Sequence, residues 1–299
     1  MVMLPPDLPP LPPRPCAASK RDFGRVLVVG GSAGMAGAPA LSAMAALRSG
    51  AGLVELLVPD SVALVAAGFD PCVMTRGLAS GFAGTFAAAA ADDILARAAT
   101  ASAVAVGPGL GRSDEVIGLV ARLWEELPQP AVFDADALWA LAQRPPGSPA
   151  RHGGPRVITP HAGEMLRLSA REPGDAAARD RGTLAGLAAG FAAAAAAVVV
   201  LKGAGSLVIG TGREATNETG NVGMATAGTG DVLTGVIASL LAQGMEPFAA
   251  ARLGVWVHGA AGDAAAAALG VVSMTARDLL DRLHVAFMSL EQPPGGRAG

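Results

Sequence analysis

The stretch LAGLAAGFAAAAAAVVVL, residues 184–201, runs 18 residues without a charge, and its reading decides the class of protein. An uncharged run of that length approaches what a helix needs to cross a bilayer. Its composition points elsewhere. Most of it is alanine and glycine, which contribute little to membrane insertion, and it changes from helix-forming alanines to the β-branched VVVL that ends at Lys202. We read it as a helix followed by a buried strand.

The same unit repeats outward in both directions. Short apolar runs at 26–29 (VLVV), 53–58 (LVELLV), 103–106 (AVAV), 131–133 (AVF) and 156–158 (RVI) are each followed closely by glycine, proline or aspartate, and Ala-rich helical segments lie between them. That alternation predicts an α/β fold with a central, mostly parallel sheet and helices on both faces. The 299 residues suffice for one large α/β domain or two small ones, with a full core. Apolar residues make up 52% and charged residues only 16%, and the net charge of -3 argues against an electrostatic nucleic-acid binder. Cys16 and Cys72 give neither a disulfide framework nor zinc spacing, which fits a reducing cytoplasm. The first residues, MVMLPPDLPPLPPRPCAASK, lack a basic region followed by an apolar one, so they do not read as a secretory signal. Their prolines predict an extended, flexible tail over 1–19, with a PxxP partner site as the alternative.

In open α/β sheets ligands bind beyond the carboxyl ends of the strands. There the chain carries GGSAGMAGA (30–38), GPGLG (107–111), Asp134-Ala-Asp136, Thr159-Pro-His161-Ala-Gly-Glu164 and KGAGS (202–206). The first matches neither the G-x-G-x-x-G nor the Walker lysine pattern. His161 and Glu164 read either as helix-entry residues or as site groups, and Asp134 and Asp136 either as strand-end caps or as site acids. Lys202 is more telling. Of 22 basic residues only Lys20 and Lys202 are lysines, so a compact ammonium at the end of a buried strand suits a phosphate or a buried carbonyl better than an arginine fork. The alternative is a lysine snorkelling from the sheet edge.

The stretch NETGNVGMATAGTGDVLTG, residues 217–235, sets one carboxylate, Asp231, among glycines just before an apolar segment of helical length. The first amides of such a helix are unpaired and lie at the positive end of its dipole, which makes a site for phosphate oxygens. Asp231 is then either the helix N-cap or a general base beside a transferring phosphoryl group.

Taken in order, FGRVLVVGGSAGMAGA, ALRSGAGLV, GPGLG, FDADAL, ITPHAGE, VLKGAGS and NETGNVGMATAGTGDVLTGVIASLLAQG closely resemble the NAD(P)H-hydrate dehydratase family, over roughly residues 20–290. The resemblance implies a ribokinase-like fold in a single domain, flanked by tails at 1–19 and 291–299. It implies a hydro-lyase that repairs NADHX and NADPHX, the 6-hydroxy hydrates of NADH and NADPH. ADP phosphorylates the 6-hydroxyl of the S epimer, AMP leaves, and the electrons of the ring nitrogen then expel phosphate. Mg²⁺ is expected on the nucleotide phosphates.

Carried over residue by residue, the family pattern makes Asp231 the catalytic base and places Ala38, Gly109, His161 and Asp231 on the hydrated dinucleotide. It places Lys202, Gly203, Ala204, Gly205, Ser206 and Gly230 on the nucleotide, and Asn217, Asn221, Gly228 and Thr229 around the phosphates. Metal ligands are not specified. Ala227 stands where many relatives have glycine and Met35 where an aromatic residue is common, which bears on loop freedom and on stacking. The expected partners are NADHX or NADPHX, ADP and, in the same pathway, an NAD(P)H-hydrate epimerase, since the epimerase domain that some relatives carry fused is not found in this sequence. A homotetramer, a cytoplasmic location and no nucleic-acid or membrane partner complete the expectation. The Ala-rich helix at 249–269 would be internal or face another subunit. Two other readings share part of these residues: a small-molecule kinase of the same fold acting on a thiazole or pyridoxal-like alcohol, and a nucleotide-binding protein without catalysis.

Overall fold

The computed structural model describes residues 4–145, 151–171 and 180–291. One sheet holds nine strands: β1 (Arg25–Val29), β2 (Leu53–Pro59), β3 (Met74–Leu78), β4 (Ala103–Val106), β5 (Ala131–Phe133), β6 (Arg156–Ile158), β7 (Val198–Leu201), β8 (Leu207–Gly210) and β9 (Arg213–Thr216). Their order is β3-β2-β1-β4-β5-β6-β7-β8-β9. Neighbours from β3 through β7 pair in parallel, and β7, β8 and β9 pair antiparallel at one edge. The helices are α1 (Gly37–Arg48), α2 (Ala63–Ala67), α3 (Ala90–Ala98), α4 (Asp114–Glu126), α5 (Asp136–Ala142), α6 (Ala162–Leu168), α7 (Arg181–Ala195), α8 (Thr229–Ala242), α9 (Pro247–Leu269) and α10 (Ala276–Glu291). Residues 184–201 are thus most of α7, a left-handed turn at Ala196 (φ 47°), and β7. None of the described helices is long and apolar enough to cross a membrane.

Because side chains alternate across a strand, each central strand feeds two cores. Val26 and Val28 of β1 belong to a core shared with α1, α8, α9 and α10, and Leu27 and Val29 belong to one shared with α3 to α7. Helices cover both faces. At the foot of β6 the buried guanidinium of Arg156 donates to the carbonyls of Trp124 (2.8 Å) and Leu127 (2.6 Å), closing the carboxyl end of α4, and also to those of Gln129 and Pro155. Burial lowers its pKa to about 10, so it remains charged at neutral pH.

The Pro-rich segment differs from the flexible tail its composition predicts. Residues 4–19 form no helix or strand, yet they lie against the body: Leu8 and Leu11 pack on the core of α8 to α10, and Asp7 accepts a hydrogen bond from the buried Arg252 of α9 at 3.1 Å. Arg14 donates to the carbonyl of Gly50 at 2.9 Å and stacks over the ring of Phe23. Prolines exclude regular hydrogen-bonded structure, but a chain already extended loses little entropy on docking. The expected tail beyond Glu291 lies outside the described residues, as do residues 1–3.

Candidate active site

The sheet order reverses between β1 and β4, so a crevice opens beyond their carboxyl ends. Two of the glycine-rich loops meet there. The amide of Gly31 donates to the carbonyl of Pro108 at 2.9 Å, and the hydroxyl of Ser32 donates to the carbonyl of Gly109, also at 2.9 Å. Gly109 has a positive φ of 64°, and a Cβ on it would stand 2.7 Å from the carbonyl of Met35 and 3.2 Å from the Cβ of Ala38. Ala38 and Gly109, both expected on the dinucleotide, therefore share one surface, beside the exposed Met35.

Helix α8 starts next to this crevice. Its N-cap is Gly228, whose left-handed φ of 90° is the reason a glycine stands there, and no side chain caps the helix. The amides of its first turn thus remain available to an anion. Asp231 is the third residue of the helix and not its cap, which corrects the N-cap reading. The hydroxyl of Ser42 on α1 donates to the backbone carbonyl of Asp231 at 2.7 Å, which ties Asp231 to the helix that carries Ala38. The Asp231 carboxylate has no hydrogen bond or ion pair among the described residues, and burial raises its pKa to about 7, with the charge of Asp134 adding and that of Lys202 opposing.

Beside Gly230 of α8 stands an ion pair. Lys202 does not snorkel: its Nζ donates to Asp134 Oδ1 at 2.8 Å and lies 3.9 Å from Glu164 Oε2. Asp134, only 1% exposed, accepts at its other oxygen from Thr234 of α8 at 2.8 Å. Burial opposes the charge on Lys202, but Asp134 and Glu164 outweigh it and hold its pKa above the usual lysine range. Asp136 instead accepts from the amide of Gly111 (3.0 Å) and from Arg112 Nε (3.2 Å). The two acids diverge because Ala135 between them is held at φ 50°, ψ -121°, a conformation that costs an alanine about 1–3 kcal/mol.

His161 and Glu164 form a reciprocal cap on α6. His161 Nδ1 accepts from the amides of Gly163 and Glu164, while Glu164 Oε2 accepts from the amide of His161 at 2.8 Å. An Nδ1 that accepts carries no proton, so the imidazole is neutral with its proton on Nε2. Burial and the charges of Lys202 and Arg167 lower its pKa in the same sense. Burial raises the pKa of Glu164 to about 6, against the pull of Lys202.

Lys202 also walls a cavity of about 590 Å³. Its walls include Lys202 through Ser206, Asn217, Asn221, Thr229 and Gly230, so the residues expected on the nucleotide and most of those expected at the phosphates come together. Gly228 does not join them, because it faces Leu41 and Ala276. The asparagines shape the wall. Asn217 is bonded to Thr219, and Asn221 donates to Asp263 and accepts from the amide of Gly223.

Several participants escape a reading by loops. Thr234 lies inside α8, and α9 supplies His258, whose ring Nε2 is 2.8 Å from the carbonyl of Thr229, and Asp263, which accepts from the amide of Gly220 and the side chain of Asn221. Burial lowers the pKa of His258 to about 4, so it is neutral and donates to that carbonyl. The available signal was that Arg252, His258 and Asp263 are the only titratable residues in the otherwise apolar stretch 249–269.

Comparison with known proteins identifies the family. The chain is 45% identical over 283 residues to a bifunctional NAD(P)H-hydrate repair enzyme of Moorella thermoacetica, covering 94% of this chain and 52% of that protein, so it spans about half the length of such relatives. It is 39% identical over 257 residues to an ADP-dependent (S)-NAD(P)H-hydrate dehydratase of Neisseria meningitidis, covering 85% of this chain and 81% of that one. Among solved structures, an ADP/ATP-dependent NAD(P)H-hydrate dehydratase from Bacillus subtilis, co-crystallised with ATP/Mg²⁺, superposes with a TM-score of 0.78 at 28% identity, covering 94% of this chain and 95% of that one. A family model described as NAD(P)H-hydrate dehydratase matches residues 26–284, from the first core strand to the last helix, and so takes in every loop of the site. The chain belongs to the NAD(P)H-hydrate dehydratase family.

Proposed function

We propose that this chain converts the S epimers of NADHX and NADPHX to NADH and NADPH, using ADP as phosphoryl donor and releasing AMP and phosphate. The observation that carries this reading is the free carboxylate of Asp231 in the uncapped first turn of α8, next to Gly230 of the cavity wall and tied through Ser42 to the helix that carries Ala38. Hydroxide is a poor leaving group, so the 6-hydroxyl is phosphorylated first. Asp231 takes its proton, the amides of the α8 turn hold the transferring phosphoryl group, and Lys202 offers its remaining N–H donors to the donor phosphates. The proton of His161 Nε2 is directed to an acceptor on the dinucleotide.

No cluster of three or more acidic, histidine or cysteine side chains able to hold a cation occurs among the described residues. A Mg²⁺ would arrive on the nucleotide phosphates and keep most of its water, and there it would neutralise phosphate charge. The reading carries with it a cytoplasmic setting, a homotetramer and an epimerase that supplies the S epimer. Incubation with NADHX and ADP tests it: NADH absorbance should rise in step with AMP. A stable phosphorylated product from a thiazole or pyridoxal-like alcohol, with no NADH, would favour the kinase.

A further inference from the structure

Restoring the ring double bond takes two proton transfers, and Asp231 accounts for one. When the electron pair on N1 has expelled phosphate from C6, the ring is an N1=C6 cation. Loss of a proton from C5 then sends the C–H electron pair into the C5=C6 bond and returns the N1 pair to nitrogen. A base must take that proton.

The site offers few. Asp134 has both oxygens engaged, by Lys202 and Thr234, and Asp136 has both engaged, by Gly111 and Arg112. His161 cannot serve, because its Nδ1 is occupied by two amides and its Nε2 carries the proton. Glu164 differs from these. Oε2 is fixed by the amide of His161, whereas Oε1 has no hydrogen bond among the described residues and lies 3.5 Å from His161 Nε2, beyond good hydrogen-bond distance. We propose that Glu164 is a second catalytic base, whose Oε1 takes the C5 proton of the phosphate-expelled ring. The cap fixes one oxygen and leaves the other unbonded beside His161, the residue assigned to the dinucleotide. A carboxyl group held near pH 6 by burial is a stronger base than an exposed glutamate. The proton leaves to water when the product departs.

This assignment rests on the dehydratase reading, and Glu164→Gln separates the two. Glutamine also completes a capping box, so it keeps the bond to the His161 amide and the entry of α6 but cannot take a proton. With NADHX and ADP in a rapid-quench experiment, the variant should release AMP and phosphate in a burst of one per site, ahead of any NADH. NADH formation should slow at least about 100-fold, the lower end for losing a general base. With substrate dideuterated at C5, NADH formation by the variant should show a primary isotope effect. If NADH and AMP fall together, or if the variant regenerates NADH at the wild-type rate, Glu164 is only a cap and the assignment is wrong. If the wild-type protein itself makes neither AMP nor NADH, the dehydratase reading fails and takes the assignment with it.

Discussion

Asp231→Asn should make the protein more stable above pH 7 while slowing its turnover at least about 100-fold. In the folded chain the Asp231 carboxyl titrates near 7, raised by burial from 3.8. Between those values the native state holds a proton that the unfolded chain has released, so stability falls as pH rises from about 4 to about 7 and then levels off. A shift of roughly three units corresponds to about 4 kcal/mol for a wholly dry group, and the solvent contact that Asp231 retains reduces this to about 2–4 kcal/mol. Asparagine removes the titration without emptying the site. Urea unfolding of both proteins at half-unit steps from pH 4 to 9 should give equal stabilities at the acid end and a gap that opens towards pH 7, then stays constant. A gap of the same size at every pH would refute the desolvation argument. The same proton governs catalysis: kcat/KM should rise with pH through about 7 as the base ionises, and the variant should lose at least about 100-fold in kcat.

Other perturbations follow from neighbouring contacts. Lys202→Met leaves the Asp134 carboxylate buried with Thr234 as its one remaining partner, and should cost about 3 kcal/mol in urea unfolding as well as nucleotide affinity by calorimetry. Asp263→Ala frees Gly220 and Asn221 from α9, so the Kd for ADP should rise about tenfold, the worth of one charge-assisted hydrogen bond. Arg156→Leu strips the carboxyl end of α4 of its donor and leaves buried carbonyls unpaired, and a loss of about 3 kcal/mol is expected at a site remote from the chemistry.

The parallel core was legible because strands buried on both faces read as short apolar runs, and β1, β2, β4, β5, β6 and β7 fall where those runs do. The edges were not. β3 (MTRGL) buries only Leu78 and β9 (REAT) buries none of its residues, so no apolar run marks them, and β8 is an apolar LVIG beside the KGAGS loop. Within the site, loop motifs marked the groups that end strands but not their partners. Nothing near Asp134 announces that it meets Thr234, 100 residues further on, and nothing near Gly220 announces Asp263. Those contacts exist only once α8 and α9 pack against the sheet. Asp231 shows the opposite error: a spacing typical of a cap was present, but Gly228 had already taken that position.

The bend at Ala135 has a further consequence. Residues two apart along a strand ordinarily point the same way, so an Asp-x-Asp triplet that continued β5 would crowd two negative charges into one place. The turn at Ala135 sends them apart, Asp134 to an ammonium and Asp136 to a guanidinium, so each keeps its own counter-ion. The middle residue thereby separates the charges: glycine would fit the path and relax it, whereas valine, isoleucine or threonine would add strain at this positive φ.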